Sequence, residues 1–194
     1  KGIAEGVSNT NFLVETEGSQ GEGARFILTI YETRTDVADL PFFLKLLDHL
    51  AARGCPVPRT IHDRGDRPFR LVDGKAAALI EFLPGISVTD PTPEQARSVG
   101  AALAQMHLAA ADFPMARANG LGLAGWSDLA AQCTPAGLDS IHDGLGALVR
   151  DELATLGQRW PAGLPRSIIH ADLFPDNVLM LGDRVTGLID FYFA

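Results

Sequence analysis

Cysteine is nearly missing from this chain of 194 residues: only Cys55 and Cys133 occur. They stand in unrelated contexts with no neighbouring Cys or metal-spaced His, so neither a disulfide framework nor a zinc site is implied, and a reducing cytosol is the expected setting. Positive charge is scarce as well. Lys and Arg number 16 against 24 Asp and Glu, a net charge of −8, which speaks against a general electrostatic grip on nucleic acid or an anionic membrane. Any anionic ligand must be held locally. Long apolar runs are also lacking: residues 76–83 and 100–106 are the most apolar stretches, both far too short to span a bilayer, with Glu81 and Gln105 inside them. No signal peptide is recognisable, yet the chain opens at Lys1-Gly2-Ile3 without Met and stops at Phe191-Tyr192-Phe193-Ala194 straight after an apolar run. Both ends are therefore expected to be cut.

What is present is globular composition, 46% hydrophobic and 21% charged, with 20 Gly and 12 Pro to supply turns. This suits one domain or two small lobes and excludes collagen-like, coiled-coil and disordered chains. The first part reads as a hairpin, a strand from Asn11 to Thr16 and another from Arg25 to Glu32, joined by a Gly-rich link. From Asp39 to Arg53 the residues Leu40, Phe43, Leu44, Leu47 and Leu50 recur at steps of three and four, which predicts an amphipathic helix stopped by Gly54. An apolar strand, Ala76 to Phe82, then ends in the turn Leu83-Pro84-Gly85, a plausible lobe boundary.

Beyond it, Thr92-Pro93-Glu94-Gln95 has the form of a capping box with Pro at the first helical position, so a helix should start there and carry Met106 as core filler. A second helix is expected from Leu138 to Leu156, with Leu138, Ile141, Leu145 and Leu148 on one face. After Pro165 short strands frame polar loops: Ser167 to His170, Asn177 to Leu181, and Val185 to Phe191 across the turn Gly182-Asp183-Arg184.

Chemistry concentrates in that last part. If the two final strands pair across their turn, Asp190 returns beside Asn177, and an amide oxygen and a carboxylate converge on one point. Oxygen-only ligands suit Mg²⁺, which keeps several waters and bridges to substrate phosphates. Asp172, a few residues upstream, stands where a carboxylate can orient an acceptor hydroxyl and take its proton. Each residue alone has a plainer reading: His170 as a structural hydrogen-bonder, Asp176 as a turn cap. Together, His170-Ala171-Asp172 through Asn177, followed by Ile189-Asp190-Phe191, match the spacing of a kinase catalytic loop and its metal-binding Asp, with Ala171 in the place of Arg. Two weaker signals accompany it. The polar turn Ser8-Asn9-Thr10-Asn11 could donate to phosphate oxygens, though most such runs are plain turns, and the backbone of Glu81, Phe82 and Leu83 could read an adenine edge, where an ordinary strand end explains the pattern equally. No P-loop motif occurs.

In this order the segments resemble the aminoglycoside phosphotransferase and choline kinase superfamily over nearly the whole chain, and within it the homoserine kinase family. Phe26-Ile27-Leu28-Thr29-Ile30-Tyr31-Glu32 is among the segments that read like that family, and Leu40-Pro41-Phe42-Phe43 and Asp190-Phe191-Tyr192-Phe193-Ala194 are the narrower pointers. The resemblance implies an α+β, bilobal, protein-kinase-like fold: a small antiparallel-sheet nucleotide-binding lobe over residues 1–83, and a mainly helical catalytic lobe over residues 84–194, incomplete after the metal-binding Asp. It implies Asp172 as catalytic base, Asn177 and Asp190 on Mg²⁺, residues 8–11 over the ATP phosphates and Glu81 to Leu83 as adenine hinge. The implied reaction is transfer of the ATP γ-phosphoryl group to the side-chain hydroxyl of L-homoserine, giving O-phospho-L-homoserine, in the cytoplasm and without nucleic-acid or membrane partners. Another small hydroxylated acceptor (choline, ethanolamine, an aminoglycoside) is the alternative within enzymes. A nucleotide-holding module without turnover is the alternative outside them.

One departure stands out. The superfamily commonly pairs a Lys on the third strand with a Glu on the following helix, and here Thr29 and Phe43 stand at about those positions. Both partners are missing together, so neither charge is stranded, which fits a different phosphate grip. Arg25 and Arg34 are the candidate cations.

Overall fold

The computed structural model describes residues 2–5, 9–17, 23–32 and 36–194. They gather into two compact units, Lys1–Ala116 together with Ser167–Ala194, and Arg117–Arg166. In the first unit β1 (Gly2–Glu5), β2 (Asn9–Glu15) and β3 (Arg25–Tyr31) form an antiparallel meander. Then come α1 (Leu40–Ala52), β4 (Thr60–Ile61), β5 (Arg70–Val72) and β6 (Lys75–Glu81). The strand order is β1-β2-β3-β6-β4, with β5 also paired to β6. Side chains alternate across the pleat, so Thr29, Tyr31, Ala76, Ala78 and Ile80 are buried on one face, with the hydrophobic members packed against Leu40 and Leu44 of α1.

The apolar steps of α1 bury seven of its thirteen residues, more than one stripe requires, because it is covered on two sides. Leu40 and Leu44 face the sheet, while Phe43, Leu47 and Leu50 join a second cluster containing Met106. Truncating a fully buried leucine such as Leu46 to Ala costs about 2–5 kcal/mol in comparable cores. The helix ends as expected: Gly54 takes φ +75° and the Cys55 N–H returns to the Leu50 carbonyl at 3.1 Å.

The second cluster also holds α2 (Pro93–Ala109) and the hairpin of β7 (Val178–Leu181) and β8 (Arg184–Leu188). The capping box at the start of α2 is formed on both sides, Gln95 N–H to Thr92 Oγ1 at 3.2 Å and Thr92 N–H to Gln95 Oε1 at 3.0 Å. The same Gln95 donates to the Gly182 carbonyl at 3.0 Å and so fastens α2 to the tip of the hairpin.

Just past β6 the chain crosses over this hairpin. Ile86 and Met180 exchange backbone hydrogen bonds of 3.0 and 2.9 Å. The crossing needs two glycines. Gly85 has φ +149°, and a Cβ there would stand 2.5 Å from Thr186 Oγ1 and 3.0 Å from the Met180 nitrogen; one on Gly187 would stand 2.9 Å from Leu83 Cδ1. The expected boundary between residues 83 and 84 falls at this crossing, and both flanks pack in the first unit.

In the second unit α3 (Leu123–Ala131), α4 (Pro135–Asp139) and α5 (Leu145–Arg159) pack through short contacts. Trp126 meets Trp160 edge to face at 5.6 Å. Here the structure corrects one expectation and adds one element. The single helix expected from Leu138 to Leu156 is broken at residues 140–144, because Gly144 adopts φ +78° and Asp139 Oδ1 accepts from the Gly146 N–H at 2.8 Å. α3 was not expected at all. Ser167 to His170 likewise runs as irregular chain rather than a strand.

Cys55 is buried, Cys133 is exposed, and both are free thiols. Among the described residues no helix is long and apolar enough to cross a membrane.

Candidate active site

The loop after residue 167 is built around a buried imidazole. His170 Nε2 lies 2.8 Å from the Ile189 carbonyl, and its Nδ1 lies 3.3 Å from the Asp172 N–H. A carbonyl only accepts and an amide N–H only donates, so Nε2 carries the proton and Nδ1 does not. Burial lowers the His170 pKa and keeps the ring neutral, which suits that tautomer. Ala171 at φ +63° turns the chain back so that the following amide can reach the ring. His170 is thus the structural hydrogen-bonder of the plainer reading, tying the loop to the segment that carries Asp190.

Asp172 is held by Asn177. The amide Nδ2 of Asn177 donates to the Asp172 carbonyl at 2.7 Å and to its carboxylate Oδ2 at 3.2 Å. A 3₁₀ turn, Pro175–Asn177, sets this spacing, with the Asn177 N–H donating to the Phe174 carbonyl at 3.0 Å. Since the amide nitrogen points at Asp172, Oδ1 of Asn177 points elsewhere and accepts no hydrogen bond among the described residues. The hairpin then delivers the second carboxylate: Ile189 N–H donates to the Asn177 carbonyl at 3.0 Å, one step beyond the Val178–Leu188 pair. Asp190 follows in the left-handed region at φ +66°.

Packing around the Asp190 carboxyl raises its pKa, the charge on Asp172 raises it further, a hydrogen bond from the Tyr192 backbone N–H opposes this, and Asp176 adds a smaller upward push. The carboxylates of Asp172 and Asp176 therefore both repel that of Asp190. A divalent cation relieves that repulsion, and the donor set is the hard-oxygen type that Mg²⁺ takes. No group of three His, Cys, Asp or Glu residues able to hold a metal ion by itself exists among the described residues. A metal here would rest on Asn177 Oδ1 and the Asp190 carboxylate, with phosphate oxygens and water completing its shell.

The sheet residues expected to meet the nucleotide are less closely grouped. Ser8 and Arg34 lie outside the described residues. Asn9 and Asn11 occupy β2 opposite Tyr31 and Thr29, and Asn11 Oδ1 accepts from Thr29 Oγ1 at 2.8 Å. Thr10 points to the other face of the strand, where it donates to Glu32 Oε1 at 3.1 Å; Lys75 Nζ holds Oε2 of the same carboxylate at 2.6 Å. Glu81 exchanges hydrogen bonds with the backbone of Arg59, Phe82 lies under the Arg25 guanidinium at 5.7 Å, and Leu83 lies against Gly187. Arg25 is paired with Glu15 at 3.0 Å, at the end of β3 remote from Tyr31. Thr29 and Phe43, standing about where a Lys and Glu are expected, are both buried.

Sequence reasoning passed over one contact that reaches this loop from β3. The hydroxyls of Tyr31 and Tyr192 are 2.9 Å apart. The only signal available was that both tyrosines fall in the segments that carry the resemblance. A separate cleft of about 190 Å³, lined by apolar residues including Val99, Leu173 and Val178, includes none of Asp172, Asn177 and Asp190.

Comparison with known proteins identifies the family and the fold. The profile of the phosphotransferase enzyme family matches residues 1–194. Among curated proteins, the chain is 49% identical over 194 residues to a homoserine kinase of Methylobacterium radiotolerans and 50% identical over 194 residues to one of Methylocella silvestris. It is matched over its full length and spans 59% of the length of each relative. Among solved structures, a spectinomycin phosphotransferase in complex with ADP and spectinomycin superimposes with a TM-score of 0.69 at 14% identity, covering 98% of this chain and 62% of that one. An aminoglycoside phosphotransferase from Alicyclobacillus acidocaldarius gives 0.56 at 20% identity, covering 99% and 61%. The fold is the kinase-like α+β fold of aminoglycoside phosphotransferases.

Proposed function

This chain belongs to the phosphotransferase enzyme family, and from that premise we propose that the protein transfers the γ-phosphoryl group of ATP to the side-chain hydroxyl of L-homoserine, forming O-phospho-L-homoserine. The observation that carries the reaction class is the bidentate hold of Asn177 on Asp172, together with the backbone bond from Ile189 to Asn177 that brings the Asp190 strand end to the same residue. The acceptor is supported by the identity of about half the residues with curated homoserine kinases. On this reading residues 1–83 serve as the nucleotide-binding lobe and residues 84–194 as the catalytic lobe. The cytoplasm is the natural setting, since ATP is supplied there.

Asp172 orients the acceptor hydroxyl and takes its proton as the oxygen bonds to the γ-phosphorus and the bridging bond to ADP breaks. Asn177 keeps that carboxylate aimed by gripping one oxygen, and His170 fixes the backbone beneath it. Asn177 Oδ1 and Asp190 would hold Mg²⁺, which would offset the phosphate charge. The Glu81 N–H is engaged by the Arg59 carbonyl at 2.9 Å, so the adenine edge is read mainly by the backbone of Phe82 and Leu83.

The test is ADP release by the full-length protein with a panel of acceptors. Homoserine-dependent release at a kcat/KM well above that for choline, ethanolamine and an aminoglycoside is expected. Preference for another acceptor overturns the substrate, and ATP binding without release on any acceptor overturns the transfer.

A further inference from the structure

Tyr31 ends β3, on the same face as Thr29, and Tyr192 lies two residues past Asp190. Their rings meet edge to face, 5.5 Å between centroids, with the hydroxyl oxygens 2.9 Å apart. Phe43 of α1 closes on Tyr192 in the same manner at 5.5 Å. The ring of Tyr192 is therefore clasped by the sheet and by α1, two residues along the chain from Asp190. We infer that Tyr31 is a positioning residue: through its hydroxyl contact with Tyr192 it sets the backbone of residues 190–192 and hence the direction of the Asp190 carboxylate. This rests on the reading of Asp190 as a ligand of the metal–nucleotide complex.

The physical case has three parts. Asp190 sits in the left-handed region at φ +66°, which Asp tolerates better than most residues, so the backbone turn by itself does not fix the carboxylate and the next anchored side chain along the chain is that of Tyr192. The expected Lys and Glu, which would join the sheet to the helix by charge, are replaced by the Thr29–Asn11 hydrogen bond and the ring of Phe43. The link from sheet to the metal-bearing segment is then an uncharged one. A phenol hydroxyl both donates and accepts, so at 2.9 Å one of the two donates to the other. Packing alone would be served by Phe at either position; the hydroxyl pair adds direction.

The experiment uses full-length Tyr31→Phe, Tyr192→Phe and the double variant. Three quantities are read: the melting temperature without ligand, its rise on adding ADP with Mg²⁺, and kcat and KM for homoserine. Each single variant leaves its partner's buried hydroxyl unpaired and should melt a few degrees below the wild type without ligand, with the double variant no lower. Each should also gain less from ADP with Mg²⁺ and lose roughly three- to tenfold in kcat with KM for homoserine unchanged. The double variant should lose no more than either single one, since both remove one contact. Wild-type kcat and ligand-induced rise in Tyr31→Phe overturn the positioning role, as do losses that multiply in the double variant. If the wild type itself gains nothing from ADP with Mg²⁺ and does not turn over homoserine, the reading of the site falls, and this inference with it.

Discussion

Asn177 donates from one amide nitrogen to both the backbone carbonyl and the carboxylate of Asp172, at 2.7 and 3.2 Å, and so joins the proposed base to the proposed metal ligand in a single side chain. Positioning of the base and placement of the metal–nucleotide complex are coupled by that residue. Substitutions on either side of it should separate the two duties.

Asp172→Asn retains an oxygen for the Asn177 amide but removes the proton acceptor. We expect kcat to fall about 10²- to 10⁴-fold, while ADP affinity measured calorimetrically stays within about twofold of the wild type. Near-normal turnover would remove Asp172 from the role of base.

Asp190 is better tested as Asn than as Ala, because Asn tolerates the left-handed φ of +66° whereas Ala is strained there. Neutralising it relieves repulsion with Asp172 and Asp176, so the ligand-free protein should melt no lower than the wild type. Affinity for ADP in the presence of Mg²⁺ should drop roughly tenfold or more, as a charged ligand becomes neutral. Mg²⁺ titrations that overlay those of the wild type would sink the metal assignment.

The parts of this arrangement that were legible in the sequence are those set by neighbours in the chain. The Thr92–Gln95 capping box and the Gly54 stop depend on a few adjacent residues, and the return of the last strand beside Asn177 needed only a short turn. The break at Gly144 was hidden because Leu138, Ile141, Leu145 and Leu148 keep a helical period straight through it, and periodicity does not register a left-handed glycine. Tyr31 and Tyr192 are 161 residues apart, so their contact depends on how sheet, α1 and loop pack together, and no local pattern encodes that.

Gly85→Ala should destabilise the protein by about 1–3 kcal/mol, since a Cβ would stand 2.5 Å from Thr186 Oγ1 and 3.0 Å from the backbone nitrogen of Met180. The hydroxyl can rotate away but the Met180 backbone cannot, so the chain crossing must open. A melting temperature equal to that of the wild type would show that the crossing is looser than described.

His62 is clamped between two carboxylates, Nδ1 to Asp66 and Nε2 to Asp48, each at 2.8 Å. The hydrogen bond to Asp66 and then that to Asp48 raise its pKa above 6.5. A raised folded-state pKa adds stability that is fully present below pH 6.5 and disappears as pH climbs through the raised value. The melting temperature of the wild type minus that of His62→Gln should thus be greatest in mild acid and shrink towards alkaline pH, by a modest amount because the site is largely solvated. A difference that is flat with pH, or that grows with alkalinity, would contradict the clamp.

Thr29→Lys restores the side chain expected on this strand and should nevertheless impair the protein. Thr29 is 3% exposed, and its hydroxyl satisfies Asn11 Oδ1 at 2.8 Å. Lysine would leave that oxygen without its donor and bring an ammonium into the layer between sheet and α1. Burial disfavours the charged form, and the position where an acidic partner is expected holds the buried ring of Phe43 instead. Removing the charge by deprotonation does not rescue the fit, since the longer stem must still displace packed neighbours. We expect a melting temperature several degrees lower, the scale of about 1–3 kcal/mol of overpacking in a small domain, and no gain in kcat/KM for homoserine. Thr29→Lys combined with Phe43→Glu tests whether the pair can be rebuilt: an acid at residue 43 supplies the partner but removes the ring that closes on Tyr192 at 5.5 Å, so the double variant should stay below the wild type in kcat. A several-fold rise in kcat/KM from Thr29→Lys alone would mean that the site lacks only a cation, and that the neutral contacts around Tyr192 do not take the place of the missing pair.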